Sequence, residues 1–105
     1  MTVSDRMRAK LAAALRPTRL AIFDDSHRHA GHQGARPEGE SHFRLEIVSA
    51  AFSGQGRLAR QRLVYRLLAD ELAGGVHALQ LTTLTPEEES PYPKGQGGYS
   101  FRLSI

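Results

Sequence analysis

Cysteine is absent from the 105-residue chain. Its absence removes disulfides, thiolate metal sites, thiol nucleophiles and redox pairs from what the chain does alone, so any sulfur ligand must come from a partner. Long apolar runs are missing as well. None approaches the roughly 20 residues that cross a bilayer. The first ten residues mix Asp5, Arg6, Arg8 and Lys10 among apolar ones and lack the apolar stretch of a secretory signal, which points to the cytoplasm. Internal repeats are missing too. What remains is ordinary globular usage, 40% hydrophobic and 24% charged, at a length that suits one domain. Fourteen basic against eleven acidic residues give a net charge of +3. That mild bias is compatible with nucleic acid or an acidic partner and diagnostic of neither.

The hydrophobic pattern then divides the chain. From Ser4 to Leu15, Met7, Leu11, Ala14 and Leu15 recur at three- and four-residue steps among good helix formers, and Pro17 stops the helix near Leu15 or Arg16. Leu20 to Phe23 reads as a short strand ended by Asp24-Asp25-Ser26. Residues Ser26 to Glu40 hold glycines and histidines with almost no bulky apolar side chain, the composition of a long exposed loop. Phe43, Leu45 and Ile47 alternate with Arg44 and Glu46, so a second strand is expected over His42 to Val48. After a Ser53-Gly54-Gln55-Gly56 turn, Leu58, Val64, Leu67, Leu68 and Leu72 suggest one long helix from Arg57 to Gly74-Gly75. Val76 to Leu84 is a third strand by composition. The expected fold is therefore α/β: a small two-layer sandwich in the order α-β-β-α-β, its three-stranded mixed sheet carrying the helices on one face.

Composition changes after Pro86. The domain is expected to span 1–86 and a Glu/Pro/Gly-rich tail 87–105, read as a solvated linker with an extra strand over 99–105, where Tyr99, Phe101, Leu103 and Ile105 alternate with polar residues. Such a strand either caps its own sheet or adds to that of a neighbour, a homodimer among the outcomes.

Three of the five histidines, His27, His29 and His32, fall within six residues of the loop, with His42 and His77 elsewhere. Imidazole suits iron, zinc and copper, and solvated loop histidines are the plain alternative. His77 shares the parity of Leu79 and Leu81, which makes a core-facing histidine the simplest reading of the pattern alone. The long helix opens with Arg57, Arg60, Arg62 and Arg66 behind Gly54 and Gly56, a cluster that would grip phosphates or merely face water. Asp24-Asp25 beside Ser26 and His27 does not form a catalytic constellation, since residues adjacent on one strand cannot converge on a substrate. A non-enzyme is expected.

Taken in order, the segments Asp24–His29, Gly39–Phe43, Ile47–Ser49, Phe52–Gly54, Arg57–Arg60 with Val64-Tyr65, and Glu71–Leu79 resemble the BolA family. The resemblance runs from about Val3 to Pro86 and implies a type II KH-like sheet. It also implies an adaptor for a monothiol (CGFS) glutaredoxin that shares a bridging [2Fe-2S] cluster, the glutaredoxin and glutathione supplying thiolates and this chain imidazole. On that basis His77 is the principal ligand. His29 best matches the second, loop position, with His27, His32 and His42 as competitors. Two histidines on one iron would raise the reduction potential relative to all-thiolate ligation. Family members are also described as DNA-binding transcriptional regulators and stress-response proteins, and Arg57, Arg60 and Arg62 map to the surface concerned. One departure is clear: members commonly carry Arg-His where this chain has Arg60-Gln61.

Overall fold

A computed structural model of the chain describes residues 1–25, 42–89 and 99–104, the last group as backbone only. Helix α1, Val3–Leu15, begins with a reciprocal cap: the Thr2 hydroxyl accepts from the Asp5 amide at 3.0 Å, and the Asp5 carboxylate accepts from the Thr2 amide at 3.0 Å. Val3, Met7, Leu11 and Leu15 form its buried stripe. The helix stops where expected. Arg16 takes a left-handed conformation, φ 45°, just before Pro17, and its amide closes on the Ala12 carbonyl.

Strands β1 (Arg19–Asp24) and β2 (His42–Val48) pair antiparallel, and β3 (Ala78–Leu84) lies parallel to β2. Period-two alternation is preserved in both central strands. Phe43, Leu45 and Ile47 are buried on β2 and Leu79, Leu81 and Thr83 on β3, while His42, Arg44 and Glu46 remain half-buried on the opposite face. The inward residues join the α1 stripe, Phe52, Val64, Leu68 and Val76 in one core, so the helices cover one sheet face.

The expected single long helix is corrected to two pieces. α2 spans Arg57–Leu67 and α3 Ala69–Ala73, separated at Leu68, whose φ −105° and ψ 19° depart from helical values. Hydrogen bonds from Leu68 to the Val64 carbonyl and from Leu72 to the Leu68 carbonyl, both 3.0 Å, carry the chain across the bend. Leu68 itself is fully buried. The stripe also differs from expectation: Val64 and Leu68 are buried, but Leu58 is 54% exposed. Glu71 on α3 is buried and accepts from Lys10 at 2.9 Å, with Arg6 3.6 Å away, which fastens α3 to α1.

The sheet has a fourth strand. β4, Tyr99–Ser104, pairs antiparallel with β3 and completes the order β1-β2-β3-β4, so the carboxy-terminal strand takes its own sheet's edge in this chain. The expected solvated linker is also shortened. Thr85 and Glu88 cap one another reciprocally at 2.9 and 3.2 Å, and Glu88 and Glu89 are held by Arg60 and Arg19. Glu88 and Glu89 are thus tied to α2 and β1 rather than solvated.

Candidate functional site: the His42–His77 sheet end and the α2 surface

Because β2 and β3 are parallel, their first residues lie at the same end of the sheet. His42 opens β2, and His77 directly precedes β3 behind the Gly74-Gly75 turn, where Gly75 has φ 123°. Their rings stand 6.3 Å apart between centroids, tilted by 40°. Both residues are half-buried, so His77 is not sealed in the core despite its parity with Leu79 and Leu81. The end of β1 joins them: the Asp25 amide donates to the His42 carbonyl at 2.8 Å. Asp25 is in turn fixed by Arg44, whose Nε lies 3.1 Å from its carboxylate and whose guanidinium stacks 4.2 Å from the centre of the Phe23 ring.

Segment 26–41 leaves from Asp25 and returns at His42, at this same sheet end. His27, His29 and His32 lie outside the described residues. Among the described residues no group of three or more histidine, cysteine or acidic side chains converges as a metal site. Two imidazoles are brought together there. At a usual metal–nitrogen distance of about 2.1 Å and a tetrahedral angle, two rings on one ion would have centroids roughly 5 Å apart. The observed 6.3 Å is wider than that, within reach of a side-chain rotation. With the Asp25 carboxylate taken by Arg44, the two imidazoles are the donors that the described residues offer here, a set that fits a metal centre whose remaining ligands come from elsewhere.

The second cluster separates into two kinds of arginine. Arg57, Arg62 and Arg66 are exposed on α2, and its first turn contains no acidic residue. Gly56 occupies the N-cap without a side-chain hydrogen bond, and Gly54 turns the chain there with φ 77°. Those amides and charges suit an anion. Arg60 does not belong with them, a correction to the sequence expectation. It is 3% exposed and donates to the Gln55 carbonyl at 2.8 Å, the Thr83 carbonyl at 3.0 Å and both Glu88 oxygens at 2.7 and 3.2 Å. The partner sequence reasoning missed is Glu88. Its signal was present: Thr85-x-x-Glu88 is a capping-box spacing, and Arg60 is in step with buried Val64 and Leu68.

Fold and site together define a small α/β domain that brings two imidazoles, His42 and His77, to one sheet end and exposes three arginines along one helix. Residues 11–88 match the family model described as BolA-like protein, and the chain belongs to the BolA family. It is 49% identical over 90 residues to the UV-induced protein uvi31 of Schizosaccharomyces pombe, an alignment covering 82% of this chain and 88% of that one. It is 47% identical over 87 residues to BOLA1, chloroplastic, of Arabidopsis thaliana, covering 81% of this chain and 54% of that one. A protein of Escherichia coli named DNA-binding transcriptional regulator BolA is 42% identical over 88 residues, covering 84% and 80%. Relatives thus differ in length, and the chain spans only about half of the chloroplast protein. Among solved structures, BolA1 from Arabidopsis thaliana superposes with a TM-score of 0.76 at 41% identity, covering 86% of this chain and 99% of that one. The BolA domain of SufE1 from the same plant gives 0.73 at 47% identity, covering 81% and 93%. The α-β-β-α-β arrangement is that of these structures. No helix among the described residues is long and apolar enough to cross a membrane.

Proposed function

We propose that the chain is a non-catalytic cytoplasmic adaptor that binds a monothiol glutaredoxin and shares a bridging [2Fe-2S] cluster with it, serving cluster trafficking or iron and redox regulation. The observation that carries this reading is the half-buried His42–His77 pair at one sheet end of a chain without cysteine. His77 is the principal imidazole donor. His29 is the favoured second donor, with His27, His32 and His42 as alternatives that substitution separates. A [2Fe-2S] centre supplies one-electron chemistry when bound, and imidazole ligation raises its potential relative to thiolate. This chain contributes the position of the rings: the β2–β3 register sets His42 opposite Ala78, the residue after His77, and the Asp25 amide holds the His42 carbonyl.

The test is reconstitution. The protein is mixed with a monothiol glutaredoxin, iron, sulfide and glutathione, and the product is followed by size exclusion, visible absorption and circular dichroism. A heterodimer whose visible dichroism changes in His77→Ala is expected. An unchanged spectrum rejects His77 as a ligand, and no heterodimer rejects the adaptor role.

A second reading, a DNA-binding regulator, is favoured by the arginines exposed along α2, Arg57 at its start, Arg62 midway and Arg66 in its last turn, and by the name of the Escherichia coli relative. Its contacts would be to phosphates, through these side chains and the amides following Gly54 and Gly56, which makes binding salt-dependent and largely sequence-blind.

A further inference from the structure

β4 lies beyond the part of the chain that matches the family model, which ends at residue 88. It nevertheless occupies the edge of β3, with pairing that runs from Thr83↔Tyr99 to Ala78↔Ser104. Ala78 is the residue next to His77. The base of this connection is fastened at two places on the matched domain: Glu88 to Arg60 on α2, and Glu89 to Arg19 on β1. The reciprocal Thr85–Glu88 cap fixes the turn between them.

An uncovered edge strand offers a row of backbone donors and acceptors to any extended segment that approaches. Here that row is taken in cis, along the strand that leads away from His77. We propose that β4 is an autoinhibitory strap: it restricts approach to the His77 end of the sheet and must loosen for a partner to dock there. The proposal deepens the reading of His77 as a partner-facing ligand and rests on it, but its test does not use a cluster.

The chain has no cysteine, so Ala78→Cys with Ser104→Cys introduces one thiol pair at directly opposed positions of an antiparallel ladder, a spacing that suits a disulfide. Acylation of His77 by diethyl pyrocarbonate is followed by mass spectrometry in the oxidised and reduced forms of this same protein. A several-fold slower reaction in the oxidised form is expected. Equal rates overturn the proposal. In the opposite direction, Arg102→Pro with Leu103→Pro removes two successive amides, one of which faces β3 in any register. With the circular dichroism of the domain retained, faster exchange of β3 amides and faster acylation of His77 are expected. Faster amide exchange with unaltered acylation, or unaltered exchange, also overturns it. If His77→Ala leaves the reconstituted cluster unchanged while the disulfide still slows acylation, the ligand reading fails and the strap stands.

Discussion

Arg60 and Glu88, far apart in sequence, meet through two hydrogen bonds of 2.7 and 3.2 Å, and the same guanidinium reaches the Thr83 carbonyl at 3.0 Å. One side chain thereby joins α2, β3 and the turn after β3. Breaking a buried pair by removing one partner costs about 3–5 kcal/mol. The Glu88 side chain is 31% exposed and can recover water, so Arg60→Met should cost less than that range, about 2–3 kcal/mol. Arg62→Gln, on the exposed side of the same helix, should stay within about 0.5 kcal/mol. Urea denaturation of the two variants measures the contrast, and equal losses would show that the Arg60 contacts are not what holds the turn.

The same pair gives the domain a pH dependence. The hydrogen bond from Arg60 holds the Glu88 carboxyl below its ordinary value of 4.5, with the Thr85 amide adding to the effect against some desolvation. A carboxyl depressed in the folded state stabilises fully above its unfolded pKa, and that contribution is lost as pH falls through the folded value. Stability should therefore decline on acidification below about pH 4.5, and the decline should be shallower in Glu88→Gln. Thermal unfolding across pH 3–7 reads it directly; parallel curves for the two proteins would assign the acid limb to other carboxyls.

Strand periodicity was readable because each central strand has one buried face: Phe43, Leu45 and Ile47 could only be arranged one way against α1. The bend at Leu68 was not, since Leu67 and Leu68 both fit an apolar stripe and the choice between them is made by packing. Arg60 was misplaced for a related reason. An arginine in a basic run looks solvated, and only a carboxylate 28 residues later, in a segment that reads as linker, turns it inward. The histidines illustrate the reverse case. Parity alone put His77 with Leu79 and Leu81, but it precedes the first paired residue of β3, so the strand rule does not bind it.

Two glycines of one turn should respond in opposite directions. Gly54 has φ 77°, and although nothing lies within 4 Å of an added Cβ, the left-handed backbone penalises one. Gly54→Ala should cost about 1 kcal/mol. Gly56 is the N-cap of α2 with φ −78° and open space around it. Gly56→Ser supplies the missing side-chain acceptor and should gain a few tenths of a kcal/mol. Denaturation midpoints compare them; stabilisation by both would mean that the Gly54 conformation is not required.

Nitrogen donors alone do not assemble a sulfide cluster in the absence of the thiolates that carry most of the ligation. Iron and sulfide added to this chain without glutaredoxin and glutathione should therefore leave no visible charge-transfer bands. With the partner present, His42→Ala should perturb the visible dichroism less than His77→Ala if His42 only neighbours the ligand, and equally if both rings bind. Bands formed by the chain alone would contradict the adaptor reading.

The arginines decide the alternative function through salt. Each phosphate neutralised on B-DNA contributes about 0.9 to the slope of log affinity against log salt concentration. If α2 docks on a duplex backbone, Arg62→Gln and Arg66→Gln should each flatten that slope by about this amount, with little change in stability. Arg60→Gln should do the reverse, lowering stability and leaving the slope alone, because its charge already faces Glu88. Fluorescence anisotropy with a duplex at several salt concentrations separates the two patterns. A slope indifferent to Arg62 and Arg66 would remove this surface from DNA binding; a slope that falls with Arg60→Gln would mean that the Glu88 pair opens when nucleic acid arrives.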